Sequence, residues 1–101
     1  MSYKLHFIKK SKKEWDKLNS TIKEQFKKKL AKWLEEPIVP SDKLSGYENV
    51  YKIKLRSSDF RLAYEVKEDK IIIVVLAIGK RENNDVYNSL KSRLDYENKE
   101  N

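Results

Sequence analysis

Cysteine is absent from this chain, which excludes disulfides and thiolate zinc sites and suits a cytoplasmic protein. The lone histidine, His6, has no histidine or carboxylate cluster at metal-ligand spacing around it. A two-metal centre is therefore not expected, and nothing in the residues asks for a cofactor. No apolar run approaches a membrane span, and the opening MSYKLHFIKK lacks the apolar core of a signal peptide. Glycine and proline are scarce, two of each, so each marks a boundary. Pro37 and Pro40 are expected to stop a helix, Gly46 to sit in a loop, and Gly79 to end a strand. There is no internal repeat and no linker. A length of 101 residues supports one domain with one modest core.

What the chain has in excess is positive charge. A net charge of +7 predicts attraction to nucleic acid or another acidic partner. Lysine-rich surfaces also arise for solubility, so charge alone does not choose between the two.

The apolar spacing gives the order of elements. Residues 3–8 alternate and read as a strand, with His6 a surface or core-edge residue. Ser11 with Glu14 reads as a capping box opening a short helix with Trp15 and Leu18, and Thr21 with Glu24 repeats the pattern. Ile22, Phe26, Leu30, Trp33 and Leu34 then recur at helical spacing and are packing positions, while Lys27, Lys28 and Lys29 form a solvated face. A loop at 38–48 precedes two strands joined at Ser57-Ser58-Asp59, and a turn at 68–70 leads to the aliphatic strand 71–78. Such a strand needs cover on both faces. Val86, Tyr87, Leu90 and Leu94 mark a C-terminal helix beginning near Glu82, and 95–101 reads as a polar tail. The expected fold is α+β, with a single, mainly antiparallel sheet made of the N-terminal strand and a three-strand meander. A two-helix N-terminal hairpin covers one face, the C-terminal helix is the second cover, and the domain spans 1–94.

The hairpin carries the chemistry. In YKIKLRSSDFR, Tyr51, Ile53 and Leu55 point one way and Lys52, Lys54 and Arg56 the other. Matching apolar sides sets Leu55 opposite Phe60, Ile53 opposite Leu62, and Lys54 opposite Arg61. Like charges directly opposed destabilise a sheet, so folding alone does not favour that pair, whereas a polyanion on that face would relieve it. Read by themselves, the alternating lysines also describe the solvated side of an antiparallel sheet.

The runs KEWDKL at 13–18, YKIKLRSS at 51–58, FRLAYEV at 60–66 and IGKRE with a following VY at 78–87 resemble the RelE toxins of bacterial toxin–antitoxin pairs. The resemblance extends from Lys13 to about Leu94. It implies a ribosome-dependent endoribonuclease that cuts mRNA in the decoding site of the 70S ribosome. It also implies a cognate RelB-like antitoxin, with a toxin that is monomeric when free and hetero-oligomeric with its antitoxin. The resemblance implies catalytic roles for Lys52, Lys54, Arg61, Arg81 and Tyr87.

The RNA 2′-hydroxyl is a built-in nucleophile, so cleavage needs a proton acceptor, charge stabilisation, leaving-group protonation and alignment. With one histidine, the paired histidines of a conventional ribonuclease are unavailable, leaving lysine, arginine and tyrosine. Arg61 suits clamping the phosphate, Arg81 the leaving oxygen, and Tyr87 stacking on or aligning the nucleotide. Arg56 and Lys80 are supporting RNA contacts. An ordinary lysine is neutral in only about one molecule in 2,500 at pH 7. Lys52 or Lys54 as base is therefore secondary to electrostatic stabilisation and alignment.

Two other classes stay open. ParE-like toxins of the same architecture inhibit DNA gyrase through protein contacts and have no evident need for this cationic set. An RNA-binding module without catalysis is the third reading. If an antitoxin silences the chain, displacing the 82–94 helix and with it Tyr87 is the expected route.

Overall fold

The computed structural model describes residues 2–55, 58–80 and 90–94. In chain order these form β1 (Lys4–Phe7), α1 (Lys9–Asp16), α2 (Ser20–Trp33), a 3₁₀ turn (Pro40–Asp42), β2 (Val50–Leu55), β3 (Phe60–Lys67) and β4 (Ile72–Lys80). Residues 90–94 are helical. One sheet of order β1-β4-β3-β2 results, with β1 parallel to β4 and the other pairs antiparallel. The expected α+β architecture is the observed one. The tail at 95–101 lies outside the described residues.

The two faces of β4 are both buried, as its uniformly aliphatic sequence demands. Ile73, Val75 and Ile78 join the core that α1 and α2 cover with Trp15, Ile22, Phe26 and Leu30. Val74, Leu76 and Ala77 join a second cluster with Val50, Ala63 and Leu90. Each such large side chain taken from water contributes about 1.5–3 kcal/mol.

Neither capping box forms. α1 begins at Lys9, so Ser11 lies inside it, fully buried, with its hydroxyl 2.6 Å from the Val75 carbonyl. α2 is capped instead by Asn19, whose side chain accepts from the Ile22 amide at 2.9 Å. Gly79 does not end β4: the strand runs on through Lys80, with Gly79 opposite Arg61 and Lys80 opposite Phe60.

The flank of β4 is shared between a strand and two side chains. β1 pairs with it only as far as Val75. Beyond that point, the Ile78 amide donates to Glu14 Oε1 at 3.1 Å, and Arg93 Nη1 donates to the Leu76 carbonyl at 2.9 Å. Glu14 and Arg93 also bind each other through two contacts, 2.6 and 2.9 Å. Exposed strand amides need such partners.

Candidate active site

The hairpin register is the expected one: Leu55 faces Phe60, Ile53 faces Leu62, and Lys54 faces Arg61. The Lys54 carbonyl accepts from Lys29 Nζ at 2.8 Å and therefore points away from β3. Lys54 and Arg61 thus form a non-hydrogen-bonded pair, the closer kind, with Cα atoms about 4.5 Å apart. Lys52 lies two residues back on the same face, opposite Ala63. The sheet therefore gathers Lys52, Lys54 and Arg61 on one surface.

Burial sharpens the contrast within this group. Lys54 is exposed and Lys52 half-buried, whereas Arg61 is only 8% exposed. Its Nε is enclosed without a hydrogen-bond acceptor, and Arg61 forms no ion pair among the described residues. An unsatisfied buried donor on a charged group is costly, so the position is not one that folding selects. Neither Asp59 nor Glu65 neutralises it. Beyond Arg61 lies Gly79, and next to that pair Ala63 faces Ala77. Ala63 and Ala77 are fully buried in the second cluster, whereas Gly79 beside Arg61 is partly exposed, so the open surface begins at the Arg61–Gly79 end of the sheet.

A bulge in β4 decides which residues share that surface. Tyr64 faces Val75 but Ala63 faces Ala77, leaving Leu76 as an extra residue. The insertion reverses the alternation, so Ala77 and Gly79 take the face that Val74 occupied before it. Lys80 consequently falls on the opposite face from Arg61, with its ammonium 5.7 Å over the Phe60 ring. The structure brings Lys52, Lys54 and Arg61 together but not Lys80. Arg56, Arg81 and Tyr87 lie outside the described residues.

Other candidates take packing roles. Tyr64 is fully buried, stacks on Tyr51 at 5.7 Å, and donates to the Pro37 carbonyl at 2.9 Å. Burial pushes its hydroxyl well above the ordinary tyrosine range, with Asp42 and Tyr51 adding to the effect. It is a core residue rather than a base-stacking platform. His6 is exposed on β1, and the described residues contain no group of three potential metal ligands. No helix among them is long and apolar enough to cross a membrane.

Sequence reasoning missed Glu14 and Arg93, which hold the end of β4 just before the Lys80-Arg81 step. The only sequence signal was an acidic residue at a helix position flanked by Lys13 and Trp15, and spacing from Ser11 misassigned it to a cap.

Comparison with known proteins agrees with this architecture. Residues 5–85 match the family described as the ParE toxin of the type II toxin–antitoxin system parDE. The mRNA interferase toxin RelE of Escherichia coli K12 is 47% identical over 94 residues, covering 93% of this chain and 99% of the relative. A free-state double arginine-to-alanine variant of the E. coli toxin RelE has 46% identity and a TM-score of 0.85, covering 92% of this chain and 98% of that one. A chain of the intact E. coli RelBE toxin–antitoxin complex gives 48% identity and a TM-score of 0.77, covering 78% and 96% respectively. Fold and sequence together define a toxin of a type II toxin–antitoxin system. The chain belongs to the RelE/ParE toxin superfamily and is a RelE-type member.

Proposed function

We propose that this chain is a ribosome-dependent endoribonuclease that cleaves mRNA in the ribosomal A site and so inhibits translation in the cytoplasm. The observation that carries the reading is the Lys54–Arg61 pair: two cations in closest cross-strand register, one of them buried without a counter-charge among the described residues. A phosphodiester supplies the missing anion. The relatives named mRNA interferase support the same activity.

In the proposed reaction the 2′-hydroxyl attacks the adjacent phosphorus while Lys52 or Lys54 accepts its proton. Arg61 clamps the non-bridging oxygens, whose charge rises in the transition state. The bond to the 5′-oxygen then breaks, leaving a 2′,3′-cyclic phosphate and a 5′-oxyanion that takes a proton from solvent to become the 5′-hydroxyl. Arg81 stabilises the leaving oxygen, Tyr87 aligns the nucleotide, and Arg56 contacts a phosphate at the margin, while Lys80, on the other face over Phe60, takes no part in the cut. The reaction uses the RNA's own nucleophile and needs no metal. Much of the alignment comes from the ribosome, which holds the codon in place and thereby reduces what the toxin must supply.

A RelB-like antitoxin is the proposed partner, in line with the E. coli toxin–antitoxin complexes among the structural relatives. Its binding displaces the C-terminal helix and with it Tyr87. Primer-extension mapping on translating ribosomes tests the activity. Wild-type protein gives cuts within the A-site codon, and Arg61→Ala or Arg81→Ala removes them while the fold is retained. Normal cleavage by both variants would refute the site, and inhibition of gyrase supercoiling without mRNA cleavage would transfer the chain to the ParE-like mode.

A further inference from the structure

A second recess opens beside the hairpin, on the outer flank of β2. Lys29 and Trp33 of α2, Asp42 of the 3₁₀ turn, and Ile53 and Lys54 of β2 enclose a cavity of about 270 Å³. That lies just under the ~300–1,000 Å³ of drug-sized sites, a scale suited to one planar ring system.

The lining holds unmet hydrogen-bonding capacity of both kinds. Trp33 Nε1 is buried and has no acceptor. The Asp42 carboxylate forms no ion pair among the described residues, although two lysines share its cavity. Lys29 is instead committed to the Lys54 carbonyl at 2.8 Å. Trp33 packs partly against the core, and the Lys32 ammonium lies 5.2 Å from the centre of its ring. Lys32 is exposed and can swing aside.

Each common ligand class meets this set differently. A simple anion could accept from the Trp33 Nε1 but would be repelled by Asp42 and would leave the ring face unused. A metal ion would find one carboxylate among ammonium groups. A nucleotide matches throughout: a flat face for Trp33, an edge carrying both N–H donors and acceptors, and a phosphate for the lysines.

We infer that the recess between α2 and β2 is a nucleotide subsite. It holds the nucleotide adjoining the scissile phosphate, with the base against Trp33, its N–H edge on Asp42, and its phosphate between Lys29 and Lys54. The inference rests on the RNA-cleavage reading, because Lys54 borders both the recess and the Arg61 pair.

The test is cleavage kinetics on ribosomes programmed with mRNAs that differ only in a nucleotide flanking the cut. Asp42→Asn should change the kcat/KM ratio between the preferred and least-preferred base by about tenfold, at one flanking position only. Trp33→Leu should lower kcat/KM about tenfold for every base by removing the stacking wall. Lys29→Met, at an exposed position, should raise KM while leaving kcat intact, and it decides the matter if the tryptophan variant does not fold. Wild-type base ratios in Asp42→Asn together with wild-type KM in Lys29→Met overturn the subsite. If Arg61→Ala still abolishes cutting in that case, the cleavage reading survives. If Arg61→Ala cuts normally, both fall.

Discussion

Glu14 and Arg93 grip each other through two contacts across the flank of β4, 2.6 and 2.9 Å long, joining the first helix to the last described segment. Arg93 is largely buried, with 13% of its side chain exposed against 32% for Glu14. Removing one member of such a pair strands the other and also frees the Leu76 carbonyl. Buried pairs cost about 3–5 kcal/mol to break. The partial exposure of Glu14 reduces the expected loss for Arg93→Ala to about 2 kcal/mol. Hydrogen exchange should show amides 90–94 opening far faster than in the wild type, and unchanged protection would mean that the pair does not hold the helix.

Arg61 should behave in the opposite way. Replacing it with methionine removes a buried unpaired donor and the charge opposite Lys54. Stability is expected to hold or rise by up to about 1 kcal/mol. Cleavage on ribosomes should fall at least about 100-fold. Thermal melts beside primer extension read both quantities, and a destabilised but active variant would contradict the assignment.

Salt dependence gives an independent count of the cations at work. If Lys52, Lys54, Arg61 and Arg81 all meet phosphates of one strand, log affinity against log salt slopes at about −3, and Arg61→Met reduces it to about −2. Filter binding to RNA of wild type and variant over a range of salt measures both slopes.

Tyr64 should make the protein sensitive to alkali. Its hydroxyl is pushed up on folding, so the folded chain keeps a proton that the unfolded chain gives up near pH ~10. The stability due to this proton is complete below that pH and is lost as pH rises above it. Tyr64→Phe, which forfeits the bond to Pro37, should cost about 1 kcal/mol at neutral pH. Denaturant titrations should show that deficit shrinking above pH ~10.

Ile71 adopts a φ of 55°, left-handed backbone that β-branched residues avoid. Its side chain is only half-buried, so little packing is lost on truncation. Ile71→Gly is expected to gain about 0.5 kcal/mol, a rise of about 2–4 °C in Tm. Calorimetry checks it.

The hairpin register was legible because period-two alternation survives in β2 and β3, where apolar residues of both strands share one face. The same logic failed for Lys80. A uniformly aliphatic strand carries no alternation from which the extra residue at Leu76 could be detected, so a bulge that turns Lys80 away from Arg61 left no trace. Burial of Arg61 was equally hidden, because strand sequence gives facing but not depth. The capping boxes misled for a related reason: Ser11 fits the local motif, yet its hydroxyl is used by Val75, sixty-four positions later in the chain. Asn19, the actual cap of α2, is a residue type that caps well, but the Thr21 and Glu24 spacing competed with it.

The parallel pairing of β1 with β4 has a consequence for biogenesis. The first strand made must wait for the last before it gains its neighbour, and the Glu14 carboxylate waits longer still for Arg93. Contacts so distant along the chain delay cooperative folding. A nascent copy whose final third is still within the exit tunnel therefore lacks a finished sheet. For the proposed activity against translating ribosomes, this ordering means that the catalytic sheet is incomplete until β4 has been made.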